Sequence, residues 1–222
     1  HLITGVQWTN AAVRTVNNTT TILDTSITTA SIGSRQRHRG VLIYAKFTVC
    51  GIRSDGAINK YDRRVAIKDL SNLDGTASTL SVLGVDTIGT DITEISGVSI
   101  TIGVDSASKS LRVSVTGEPS YAVTGVAATN ILTAVGHPFA NNDIVSFTAL
   151  SGGAGLNTNV NGTYYEPMYK VINVSGNDFQ LAVPGSGSTP IDFTTDITSG
   201  TICRPIVWST EGADFHIAAG AY

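Results

Sequence analysis

From Val41 to Arg53 the chain reads VLIYAKFTVCGIR, a long apolar and β-branched run. In an extended chain Val41, Ile43, Ala45, Phe47 and Val49 fall on one face. Leu42, Tyr44, Lys46, Thr48 and Cys50 fall on the other, the period of two that a strand requires. Because Leu42, Tyr44 and Cys50 make even the second face partly apolar, the pattern predicts a central strand of a sandwich, covered on both faces. Ser54-Asp55-Gly56 is a turn signal, and Tyr61 to Leu70 is the run that folds back beside the strand.

The rest of the chain has the same texture. Only 14% of its 222 residues are charged, and Gly, Ser, Thr, Asn, Val and Ile are abundant where Leu-Glu-Lys helix runs are missing. That is an all-β composition, and the length suffices for a core built without disulfides. Strands are expected in AVRTV and TTILDTSI near the start, with TGVQWT before them and a turn at Asn17-Asn18. STLSVLGV (78–85) is another alternating run, and VSITIGV (98–104) and LRVSV (111–115) bracket the turn DSASKS as a hairpin. Residues 86–97 read as a loop or weak strand; Asp86, Asp91 and Glu94 lack the odd-position ladder of a dedicated calcium site.

Gly117 to Ser120 is a candidate boundary. Beyond it, strands are expected at 122–127, 130–135, 143–149, 163–174 and 177–183, separated by Gly-, Pro- and Asn-rich turns. ICRPIVWS (202–209) and DFHIAA (214–219) flank Glu211-Gly212 as a closing hairpin, with Pro205 marking an edge strand or a bulge.

Composition excludes several classes of function. A net charge of −3, with no basic block beyond Arg35, Arg37, His38 and Arg39, argues against a nucleic-acid surface. Those four cations read as a solvated turn before the long strand, with a local anionic contact as the alternative. No apolar run approaches the roughly 18 to 20 residues of a membrane span, and HLITGVQW is not a signal peptide. A chain opening on His1 suggests processing or a fragment. Cys50 and Cys203 each sit in an apolar run and read as small buried hydrophobes; a long-range disulfide stays open. The N-x-S/T tripeptides at Asn17, Asn18, Asn161 and Asn173 read as chance in so Asn/Thr-rich a sequence.

Catalytic and metal patterns give no positive signal. His1, His38, His137 and His216 have no partner at a metal-ligand spacing, and there is no G-x-S-x-G elbow or phosphate-binding Gly-Lys-Ser/Thr loop. Asp143, Glu166, Asp178 and Asp192 are carboxylates a glycosidase would need in facing pairs, but no spacing pairs them. No enzyme and no cofactor is expected. The candidate recognition surface is Tyr164, Tyr165, Met168 and Tyr169, because tyrosine rings stack on sugars while their hydroxyls hydrogen-bond. Alternate tyrosines in a strand are more ordinarily half core and half rim.

Two stretches carry a resemblance. ILTAVGHPFANNDIVSFTALSGGAGLN, followed by TYYEPMYKVINVSGNDFQLA, resembles a β module of bacteriophage tail and virion proteins. Here His137-Pro138-Phe139 stands where His-Gly-Phe is usual, Asn142-Asp143 where Gly-Asp is, and EPMYK is inserted between Tyr165 and Val171. Residues 10–117 are similar to a second module of tail-fibre-like proteins, with GIRSDG as its turn and LRVSVTG as its late strand; PIVWS is the candidate for the tryptophan strand that follows. The resemblance implies an all-β chain in which a small β module, 121–200, is inserted into a β-sandwich domain made by 1–120 and 201–222; tandem order is the alternative. It further implies a non-enzymatic structural protein of a bacteriophage virion, assembled in the host cytoplasm. A tail fibre or tail appendage subunit for assembly or host attachment comes first. By analogy it would be a homotrimer, partnered by other virion proteins and a host cell-surface glycan. A capsid decoration (cement) protein is the alternative, and a secreted carbohydrate-binding domain or glycan hydrolase a third class.

Overall fold

The computed structural model describes residues 12–15, 20–24, 40–71, 78–105, 110–156 and 168–221, and it is an all-β molecule. The strands are β1 (Ala12–Thr15), β2 (Thr21–Asp24), β3 (Gly40–Arg53), β4 (Ile58–Ser71), β5 (Ser78–Thr87), β6 (Ile92–Thr93), β7 (Ile100–Asp105) and β8 (Ser110–Val115). There follow β9 (Tyr121–Val126), β10 (Ile131–Thr133), β11 (Ile144–Gly152), β12 (Tyr169–Ser175), β13 (Asp178–Ala182), β14 (Ile197–Cys203) and β15 (Ile206–Ala221). A six-stranded sheet runs β1-β15-β3-β4-β5, with β6 also pairing β4, and a three-stranded sheet runs β2-β8-β7. The remaining strands close into a barrel in the order β10-β13-β12-β11-β14-β9.

The long run singled out in the sequence is β3, central in its sheet between β15 and β4. Its return to β4 needs the Asp-Gly turn. Gly56 sits at φ +90°, a conformation that a side chain resists, and the Asp55 carboxylate accepts the Ala57 N–H at 3.0 Å. Ala45, Phe47 and Val49 of β3 join Tyr61, Val65 and Ile67 of β4 and Ile206 and Trp208 of β15 in one buried cluster. Leu23 of β2, Leu80 of β5, Ile95, and Leu111, Val113 and Val115 of β8 complete it, so the two sheets share a single sandwich core.

The other face of β3 corrects an expectation. Lys46 is exposed, and Tyr44, Thr48 and Cys50 are only half-buried, so among the described residues no second layer covers it. Tyr44 instead lies under the Arg64 guanidinium, 5.7 Å from the ring centroid. Alternation reports which residues share a face; it does not report whether anything lies on top.

Two more corrections concern the end of the chain. Residues 206–221 form one strand that pairs with β3 along its whole length, with register shifts at Glu211/Ala213 and Ile217/Ala219. Gly212 is thus absorbed in a bulge and turns nothing. Pro205 lies in no strand: it occupies, with Arg204, the link from β14 to β15. β14, ITSGTIC, belongs to the barrel, and only its last two residues, Ile202 and Cys203, fall in the expected strand 202–209. Of the expected 163–174 strand, positions 163–167 lie outside the described residues and β12 begins at Tyr169. TGVQWT, the Asn17-Asn18 turn and the Arg35–Arg39 cations lie outside the described residues.

One buried side chain, Asn59, joins the Arg63–Asp91 pair and the Ile58 N–H bond to Glu94 in holding the weak 86–97 segment. Asn59 donates to Tyr61 Oη at 2.9 Å and to the Ile95 carbonyl at 3.0 Å, and accepts the Ile95 N–H at 2.8 Å. Asn59→Ala would strand these groups in the core and lower stability by about 2 to 3 kcal/mol, read from urea unfolding.

Candidate functional site

The barrel interior is filled. Leu132, Phe147, Phe179, Leu181 and Phe193 are nearly or fully buried there, with Val145 and Val171 between them. The chain enters by β9 and leaves by β14, which are antiparallel neighbours with Tyr121 opposite Ile202. Both crossings between sandwich and barrel, 116–120 and 204–205, therefore lie side by side.

A charge network gathers at these crossings. Glu118 is 5% exposed, on the first crossing. Arg204, on the second, grips it with two bonds, Nη2 to Oε1 at 2.7 Å and Nε to Oε2 at 3.0 Å. Arg53, at the end of β3, donates to Glu118 Oε1 at 2.8 Å and chelates Asp55 in the turn beyond. Arg204 also reaches Asp143, just before β11, at 3.3 Å, and Asp143 accepts the Ala140 N–H. Two arginines and three carboxylates thus tie a sandwich strand, both crossings and a barrel turn together. Hydrogen bonding to Asp55 holds the Arg53 guanidinium above its ordinary pKa, and the same bond holds the Asp55 carboxyl below the usual carboxylate range. Beside the network, Arg14 of β1 donates to Ser146 Oγ of β11 at 2.8 Å. Next to that bond Cys203 is fully buried, and burial pushes its thiol up to about 12. Neither Cys50 nor Cys203 is in a disulfide.

The arginine–carboxylate network ties the two crossings to each other and to the barrel turn. Every carboxylate in it is bonded to a guanidinium, and bidentate Arg–carboxylate pairs fix orientation as well as distance. Sequence reading missed Glu118 and Arg204 as a pair because 86 positions separate them. The available signal was a lone charge in each of two otherwise uncharged stretches, TGEPS and ICRPIV.

The expected recognition residues fare differently. Tyr164 and Tyr165 lie outside the described residues, as does Glu166. Met168 is half-buried. Tyr169 is a correction: at 5% exposure it opens β12 inside the barrel core, its ring edge-on to Phe147 with centroids 5.7 Å apart. A ring so enclosed has no face to offer a sugar. Among the other carboxylates, Asp178 accepts from Thr133 at 2.6 Å and Asp143 is engaged as above. Among the described residues no three His, Cys, Asp or Glu side chains gather as a metal site, and no helix is long and apolar enough to cross a membrane.

His137 closes one end of the barrel. Its Nδ1 accepts the Phe139 N–H at 2.9 Å, its ring stacks on Phe139 with centroids 4.9 Å apart, and Phe179 meets it edge-on at 5.1 Å. Nε2 is sealed from solvent without a hydrogen bond. Burial pulls the imidazole pKa below 6.5, against weaker opposing pulls from the Asn177 backbone, Asp143 and Asp178. Folding therefore favours the neutral ring, and protonating Nδ1 would remove the acceptor of the Phe139 bond. Stability from this group is complete above about pH 6.5 and is lost as pH falls through the lower folded value. Melting between about pH 7.5 and about pH 5 should show a drop in Tm that is smaller in His137→Gln.

Comparison with protein families, with curated proteins and with solved structures finds no match to this chain.

Proposed function

We propose that this chain is a non-enzymatic structural subunit of a bacteriophage virion, placed in a tail fibre or tail appendage. The two resemblances motivate the reading. The observation that carries it on physical grounds is the crossing network, in which Glu118 is held by both Arg53 and Arg204. A module joined by two adjacent crossings and pinned by buried ion pairs transmits load without swinging, which is what a particle appendage needs. Function in this reading is adhesive: many copies of a weak contact add up to avidity for a cell surface or a neighbouring virion protein.

The test is the copy number of the chain in purified particles, measured by quantitative mass spectrometry against the major capsid protein. A small number of copies supports the appendage. A number comparable with the capsid protein overturns it in favour of shell decoration, and absence from particles overturns the virion reading altogether.

A further inference from the structure

We propose that His137 is a pH-sensitive latch on the join between barrel and sandwich: the neutral imidazole keeps the join closed, and protonation at Nδ1 releases it. The latch does not depend on the virion reading. Nδ1 accepts the Phe139 N–H at 2.9 Å, which only the unprotonated nitrogen can do. Phe139 is buried and leads toward the crossings by two routes. Its ring meets Tyr121 edge-on with centroids 5.5 Å apart, and Tyr121 opens β9 directly after the crossing that carries Glu118. Its backbone runs into Ala140, whose N–H bonds to Asp143 Oδ2 at 3.0 Å, and the same oxygen receives Arg204 Nη1 at 3.3 Å. Arg204 in turn holds Glu118. From imidazole to the buried glutamate, each step is a hydrogen bond, a peptide link or a ring contact.

Protonation sets one N–H donor against another, so the ring must leave Phe139 or the backbone at 139–140 must shift. Asp143 cannot follow that shift. The Asn142 N–H bonds to the Val171 carbonyl and the Asp143 carbonyl accepts the Val171 N–H, both at 2.8 Å, which fixes this end of the turn to β12. Movement at 139–140 therefore draws the Ala140 N–H off Asp143 Oδ2 and frees the carboxylate to turn from Arg204. The charged groups that face the imidazole are Asp143 from the turn and Asp178 from the start of β13. Both attract a proton, and burial against Phe139 and Phe179 outweighs them, so the latch is closed at neutral pH and opens in acid.

An NMR titration of the full chain from about pH 7.5 to about pH 4.5 tests this. The His137 imidazole signal and the Arg204 Nε–H signal, whose donor bonds to Glu118, should move with one shared midpoint below 6.5. In His137→Asn the side-chain carbonyl keeps an acceptor beside Phe139 that does not titrate, and the Arg204 signal should stay in place. Asp143, Asp178 and Glu118 are all present in that variant, so a response of their own would survive it. Glu118→Gln adds a reciprocal readout: with the join already loosened, protonation disrupts less, and the proton affinity of His137 should rise about threefold. Losing a carboxylate acts directly in the opposite sense, so the sign separates linkage from simple electrostatics. An Arg204 signal that ignores the His137 midpoint would overturn the proposal, as would one that moves equally in His137→Asn, a His137 that stays neutral throughout, or a Glu118→Gln midpoint no higher than the parent's. The parent and His137→Asn decide the matter if Glu118→Gln does not fold.

Discussion

Trp208→Ala is expected to lower stability by about 3 to 5 kcal/mol, enough to unfold a large part of the population of a marginal domain. Trp208 is fully buried and lies near-parallel to Tyr61, with ring centroids 6.3 Å apart. Its Nε1 donates to Thr15 Oγ1 at 3.1 Å, so the one side chain joins β1, β4 and β15. Its ring also lies across Gly51, its cross-strand partner on β3. A Cβ on Gly51 would meet the indole at 2.6 Å, so Gly51→Ala must displace either the ring or the β3 backbone. Both substitutions should lower the urea midpoint, Trp208→Ala by the greater amount because it leaves a cavity the size of an indole. A Trp208→Ala midpoint within error of the parent would mean that the sandwich core repacks around the loss.

The second large effect is expected at Glu118. Glu118→Gln keeps the shape but removes the charge between two guanidiniums, and breaking a buried pair by removing one partner costs about 3 kcal/mol or more. Arg53 retains Asp55 and Arg204 retains Asp143, which holds the loss toward the low end. The loss falls on the join between the two bodies while each core stays intact, so calorimetry should register it as a change in cooperativity. The parent should melt in one transition, and the variant should separate the barrel from the sandwich. One transition at an unchanged Tm would show that the crossings hold without the network.

The β3–β4 hairpin was readable because everything that specifies it is local: alternation over thirteen residues, then an Asp-Gly turn. The β7–β8 hairpin and five barrel strands, β9 to β13, followed from the same signals. β15 did not, because Glu211-Gly212 has the composition of a turn, and only pairing with β3 on both sides of it makes it a bulge. Tyr169 was misplaced for a related reason. The face a strand residue occupies depends on its register with its neighbours, and register is absent from a list of tyrosines. The outer face of β3 shows the same limit, since its half-apolar pattern suits a covered strand or an open one.

What the sequence alone determined is the all-β class and most of the strands, because strand propensity, alternation and turn stereochemistry act over a few residues. The tertiary structure decided which strands are neighbours, and with that everything assigned here as functional. Tyr121 faces Ile202 and Glu118 faces Arg204 because the barrel closes on itself and brings positions more than eighty residues apart into contact. The line from His137 to Arg204 was decided in the same way, since Asp143 and Arg204 meet only once β11 and β14 lie side by side.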